Sequence, residues 1–138
     1  MRNIIKQYGT IIYDPYRGEN MKPKNQWCIL QLPKDFARYY QYFLRKEKHL
    51  ELFDPTFNAH VSIVRGEVPK NMNAWKKYNN KRFFIEYEPE IVSFKDTKKP
   101  GSYYCITFKS KALSDLRREL GLIPHEVFHI TIGRTNYD

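Results

Sequence analysis

The chain has 138 residues, enough to bury a core within one domain, with 24 Lys and Arg against 15 Asp and Glu and hence a formal charge of +9. No run approaches the ~20 consecutive apolar residues of a membrane-spanning helix. The first residues are basic but lack the apolar region and small-residue cleavage site of a signal peptide, so a cytoplasmic protein is expected.

Two short apolar patches, around Ile4-Ile5 and Ile11-Ile12-Tyr13, open the chain. Residues 14–25 are rich in Pro, Gly, Asn and charge and read as an exposed loop. Tyr13, Tyr16, Arg17 and Lys24, beside and within it, suit stacking on a base and meeting a phosphate, and equally suit a mobile surface loop. Residues 27–32 read as a strand closed by Pro33. Asp35 is the expected N-cap of a helix over 35–46. Phe36, Tyr39, Tyr40, Phe43 and Leu44 share one face of that helix and are expected in the core. A strand beginning at His60 follows, and then a Lys- and Asn-rich stretch containing Trp75, with a short helix over 74–78. Residues 82–87 and 91–94 read as a hairpin turning at Glu88-Pro89-Glu90. Residues 103–108 read as a strand, 111–120 as a helix closed by Gly121, and 128–132 as the last strand. Cys28 and Cys105 sit in apolar runs; two cysteines make no disulfide framework, and buried reduced thiols are expected.

Two of these strands are nearly the same stretch written twice. His60-Val61-Ser62-Ile63-Val64-Arg65 and His129-Ile130-Thr131-Ile132-Gly133-Arg134 both read H-[VI]-[ST]-I-x-R. On a strand, alternate side chains share a face, so each His stands beside a hydroxyl while the intervening apolar residues point into a core. The order of elements around them also repeats: strand 27–32, helix 35–46, His strand; then strand 103–108, helix 111–120, His strand. The two opening strands even share an aromatic-Cys-Ile sequence, Trp27-Cys28-Ile29 and Tyr104-Cys105-Ile106. The expected fold is therefore α+β: a single two-lobed domain over 1–138, built from duplicated strand–helix–strand units, with two antiparallel sheets lining a central cleft.

His125-Glu126-Val127-Phe128-His129 imitates the H-E-x-x-H zinc motif, which works only on a helix. Here Pro124 precedes it and a β-branched run follows, with no third ligand in the short tail, so no metal or other cofactor is expected. Two imidazoles facing one phosphodiester suit paired acid–base catalysis, because His takes both protonation states near neutral pH. The hydroxyls of Ser62 and Thr131 would then donate to the non-bridging oxygens as their charge grows.

On these residues the sequence resembles the 2H phosphoesterase superfamily, whose hallmark is two H-x-[ST]-hydrophobic motifs in a duplicated, bilobal fold. The resemblance covers roughly residues 27–134. It implies metal-independent cleavage of phosphodiesters or cyclic phosphates by His60 and His129, with Ser62 and Thr131 holding the phosphate. Within that superfamily the chain looks most like the compact phage enzymes called anti-CBASS protein 1, which degrade the cyclic di- and trinucleotide messengers of bacterial antiviral defence. The features are the small size, Tyr13-Asp14-Pro15-Tyr16-Arg17-Gly18, and the form of residues 60–67. That likeness implies a cyclic oligonucleotide substrate in a host-cell cytoplasm. Independently of it, Tyr13 and Trp75 are expected as aromatic base platforms, with Arg17 also binding substrate. No obligate protein partner and no membrane is expected. An RNA-end enzyme acting on 2′,3′-cyclic phosphates or 2′–5′ linkages would use the same four residues. A non-catalytic RNA-binding module would carry the same charge and aromatics.

Overall fold

In chain order the elements are β1 (Ile5–Tyr13), β2 (Gln26–Gln31), α1 (Asp35–Lys48), β3 (His60–Glu67), β4 (Arg82–Tyr87), β5 (Ile91–Lys95), β6 (Ser102–Phe108), α2 (Lys111–Glu119) and β7 (Phe128–Arg134). A short helix was expected over 74–78; instead a 3-10 turn at Met72–Ala74 leads into turns over 75–80. This computed structural model describes residues 3–15, 26–55 and 58–137. Among the described residues, no helix is long and apolar enough to cross a membrane.

The strands form one antiparallel sheet in the order β4-β1-β2-β3-β7-β6-β5. This corrects the expectation of two sheets built from duplicated units. The two His strands pair with each other, Val61 opposite Ile130, so the halves are fused at the middle of a single sheet. Pairing satisfies backbone groups that two facing sheets would leave as exposed edges. The helices reinforce the fusion by crossing it. α1 packs against β7 and α2 against β3, so each covers the His strand of the other half and both share one core.

The aromatic-Cys-Ile likeness fails for a geometric reason. Cys28 sits in the helix-side core, whereas Cys105 pairs with Thr131 on the opposite face, so the two tripeptides are out of phase. Both thiols are free and buried. The expected 82–94 hairpin also fails. β4 pairs with β1 and β5 with β6, at opposite edges of the sheet. β4 nevertheless touches β6. In a flat sheet five strand spacings, about 24 Å, would separate them, so this sheet is strongly curled.

On α1 the acidic first turn and the basic residues Arg45, Lys46 and Lys48 in the last turn complement the helix dipole. Its N-cap is Lys34 rather than Asp35, with no side-chain cap hydrogen bond. Phe36, Tyr40 and Leu44 are buried as expected, but Tyr39 and Phe43 are exposed and Ala37 and Gln41 take their place. The core-facing stripe is thus as wide as the one the aromatics suggest but rotated around the helix axis. α2 is capped by Ser110, whose hydroxyl accepts from the Leu113 amide at 3.2 Å.

Two buried polar side chains close the seam between β3 and β7. Beyond the Val61–Ile130 pair the ladder gives no further register, which leaves the Ile63 and Ile132 carbonyls in need of donors. Gln41 of α1 donates to Ile132 O at 2.8 Å, and Arg117 of α2 donates to Ile63 O at 2.7 Å. These are the fourth positions of the two His stretches, so each His strand is held from behind by a helix. Gly133 is required nearby, because a Cβ there would lie 2.8 Å from the Phe53 carbonyl.

Candidate active site

Strand alternation buries Val61, Ile63, Ile130 and Ile132 in the core and turns His60, Ser62, His129 and Thr131 to the helix-free face. All four line one open cleft of about 400 Å³, together with Trp27 and Arg65. Counting out from the Val61–Ile130 pair along antiparallel strands sets His60 beside Thr131 and Ser62 beside His129. His therefore faces hydroxyl rather than His, as a like-with-like arrangement would have had it. The two imidazoles stand diagonally; such neighbours in a regular antiparallel pair are about 7–8 Å apart, somewhat less at Cβ, which leaves room for a phosphate between the rings.

The cleft's polar groups are held in definite states. His60 Nδ1 is 3.0 Å from the Asn58 carbonyl, which can only accept. Nδ1 therefore carries hydrogen, and neutral His60 presents the lone pair of Nε2. Asn58 turns that carbonyl inward from a left-handed backbone, φ 61°, which Asn tolerates better than most residues. Trp27 donates from Nε1 to Ser62 Oγ at 3.4 Å and sets its ring edge-on to His60 at 5.7 Å. Ser62 is thus an acceptor toward Trp27, which leaves its own proton for a ligand. Thr131 Oγ1 lies 3.9 Å from Cys105 Sγ.

The two arginines that end the stretches have opposite fates. Arg134 is committed: it pairs with Asp96 at 3.3 Å, donates to the Tyr103 hydroxyl and the Pro100 carbonyl, and stacks over the Tyr103 ring. Arg65 is exposed, and its side chain has no ion pair among the described residues. It lines the cleft and both adjoining chambers. The sequence reading did not place Arg65 or Trp27 in the site. Arg65 had a signal, as the last position of the repeated stretch; Trp27 had none, since only the register Trp27–Arg65 brings it to this face.

Other expected site residues are elsewhere. Tyr13 is buried in the helix-side core, where its hydroxyl accepts from the Tyr78 amide and burial pushes its pKa up to about 12. Trp75 packs edge-on against Tyr13 at 4.9 Å and donates to Asp14. Tyr13 on β1 is in register with core-facing Cys28, so these two aromatics are not brought to the cleft. Tyr16, Arg17 and Lys24 lie outside the described residues. The H-E-x-x-H stretch is not helical: His125 precedes β7, with its ring edge-on to Phe128. Among the described residues, no group of three or more His, Cys, Asp or Glu side chains is arranged to hold a metal ion.

Burial lowers the pKa of both cleft histidines, and the Arg65 charge lowers both further; for His60 the Asn58 hydrogen bond partly opposes this, and His129 adds repulsion. In the free protein both imidazoles are biased toward neutrality. Above the ordinary His value of about 6.5 neither folded nor unfolded chain is charged there, so stability does not depend on these groups. As pH falls from about 6.5 toward the lowered values, the unfolded chain takes up protons that the folded chain resists, and stability is expected to fall. Arg65→Gln should raise both histidine pKa values, as read by NMR titration of the imidazole protons. Unchanged titration curves would disprove the electrostatic link.

The fold and cleft together define a two-histidine, two-hydroxyl site with a free guanidinium, carried on the open face of an antiparallel sheet. No protein-family model, curated protein or solved structure matches this chain.

Proposed function

We propose that the chain is a phosphodiesterase of the two-histidine kind, acting on cyclic oligonucleotides. The observation that supports it is the convergence of His60, Ser62, His129 and Thr131 from two separate strands on one cleft that also holds Arg65. Neutral imidazole on one side takes the proton from the attacking oxygen, a ribose 2′-hydroxyl or water. As the new P–O bond forms and the bond to the leaving oxygen breaks, imidazolium on the other side protonates the leaving oxygen. An attacking 2′-hydroxyl is already tethered to the phosphate, so the step is intramolecular. The hydroxyls of Ser62 and Thr131 donate to the non-bridging oxygens, and Arg65 supplies the opposing charge. A bound phosphate also offsets the Arg65 repulsion, which favours protonation of one imidazole once substrate is present.

The resemblance to 2H phosphoesterases, and within them to phage enzymes that remove cyclic-nucleotide messengers, points to cyclic di- and trinucleotides as substrates and to evasion of that defence as the role. The test is a product assay with chelator present, comparing cyclic dinucleotides, cyclic trinucleotides and RNA ending in a 2′,3′-cyclic phosphate. Hydrolysis of the cyclic messengers is the expected result. Faster opening of the RNA end would assign an RNA-end enzyme with the same four residues. Salt-sensitive nucleotide binding without any cleavage would assign a binding module.

A further inference from the structure

We infer that the chamber adjoining the histidine cleft on the β5–β6 side takes the base of the nucleotide next to the reacting phosphate, with Phe94 as its stacking surface. The inference rests on the phosphodiesterase reading for the reaction, and on separate residues for the binding. The chamber measures about 540 Å³, in the size range of small-molecule sites. Arg65, His129 and Thr131 form the wall it shares with the cleft. From there it continues across Cys105 and Thr107 of β6 to Phe94 on the edge strand β5.

Phe94 is distinguished from the other aromatics on this face by what covers them. Tyr103, its cross-strand neighbour, carries the Arg134 guanidinium 4.9 Å from its centroid and is hydrogen-bonded to Asp96. Farther along the sheet, Tyr8 carries Arg82 at 4.6 Å and Phe84 carries Lys6 at 4.0 Å, so those rings already have cations against them. Phe94 is 53% exposed, and no ring or cation among the described residues packs on it. At the opposite end of the chamber Val127 is 50% exposed, a second apolar surface open to a ligand.

The chamber thus joins a free aromatic face and an apolar wall to an unpaired guanidinium and a polar floor at Thr107. A ligand that satisfies all of these is a planar ring carrying an anion a few bonds away: a nucleoside phosphate. Stacking on Phe94 is tolerant of base identity, because every base has a π-face. The chamber would therefore fix the orientation of the substrate across the cleft more than the identity of its base. It also breaks the near-symmetry of the two His stretches, since Arg134, the counterpart of Arg65, has no free charge to offer.

The full chain, Phe94→Ala and Phe94→Trp are to be titrated with a linear dinucleotide bearing a non-hydrolysable methylenephosphonate linkage, and separately with inorganic phosphate. Phe94→Ala should weaken the dinucleotide roughly tenfold or more and leave phosphate unchanged. Phe94→Trp should show fluorescence quenching by the dinucleotide, beyond that of the wild type, and none by phosphate. Equal dinucleotide affinity for wild type and Phe94→Ala would overturn the inference, as would an unquenched Phe94→Trp or a wild type that binds no dinucleotide. If Phe94→Trp is quenched while no phosphodiester is cleaved, the base site stands and only the catalytic reading falls.

Discussion

Alanine at His60 or at His129 is expected to lower phosphodiester hydrolysis by about 10²–10⁴-fold, with little further loss in the double variant because the two imidazoles act as a unit. Neither ring belongs to the core: both face the open side of the sheet while Val61 and Ile130 between them carry the packing. Melting should therefore change by no more than the ~0.5 kcal/mol usual for surface substitutions at exposed His129, and by about 1 kcal/mol at half-buried His60, which loses the Asn58 hydrogen bond and the Trp27 contact; thermal melts alongside single-turnover rates would check both halves of the expectation. Full hydrolysis by both variants would remove the two-histidine mechanism. The pH profile gives an independent reading. One His must be neutral and the other charged, so the rate should be bell-shaped. Burial and Arg65 lower both pKa values, so the limb that requires imidazolium should already be falling in the free enzyme at a pH below about 6.5. A flat kcat/KM between pH 5 and 8 would contradict it.

The second large effect is on stability. Arg117→Met is expected to cost about 2–3 kcal/mol, mainly for leaving the buried Ile63 carbonyl without its donor, since Glu67 is 36% exposed and can turn to water. Arg117 is only 1% exposed and spends its guanidinium on several elements at once. Nη1 and Nη2 grip both oxygens of Glu67 at 2.8 and 2.7 Å, Nη1 also donates to Ile63 O, and Nε donates to Ile123 O at 2.8 Å. Met fills the volume but supplies no donor, and Lys lacks the fork. The Ile63 carbonyl would be left unsatisfied beside Ser62, so activity should fall with stability. Urea unfolding would show a lower midpoint at unchanged slope; a loss under ~1 kcal/mol, the size of one ordinary hydrogen bond, would disprove the clamp. The Arg117 hydrogen bonds also hold the Glu67 carboxyl below its usual range. That contribution is present above the unfolded carboxylate value, about 4.3, and is lost as pH falls through the lowered one. In Arg117→Met this acid-side dependence should disappear.

The features legible in the sequence are local ones. Period-2 alternation placed Val61, Ile63, Ile130 and Ile132 inside and their His and hydroxyl neighbours outside. The breakers Pro33 and Gly121 and the run of aromatics marked the helices to within a residue or two. The repeated stretch singled out the four residues that do share a cleft, because identical side-chain order on a strand forces identical facing. Local pattern carries no information about which strands pair, and there the tertiary structure decided. β3 meets β7, so two expected sheets are one, β4 and β5 lie at opposite edges, and the antiparallel register crosses His with hydroxyl. Facing set by pairing also sends Tyr13 to the core and brings Trp27 onto His60. The two final arginines are written alike, yet Asp96 and Tyr103 engage Arg134, while among the described residues no acidic side chain pairs with Arg65. What surrounds a charge after folding, and not its place in a motif, leaves one of them free to meet a phosphate.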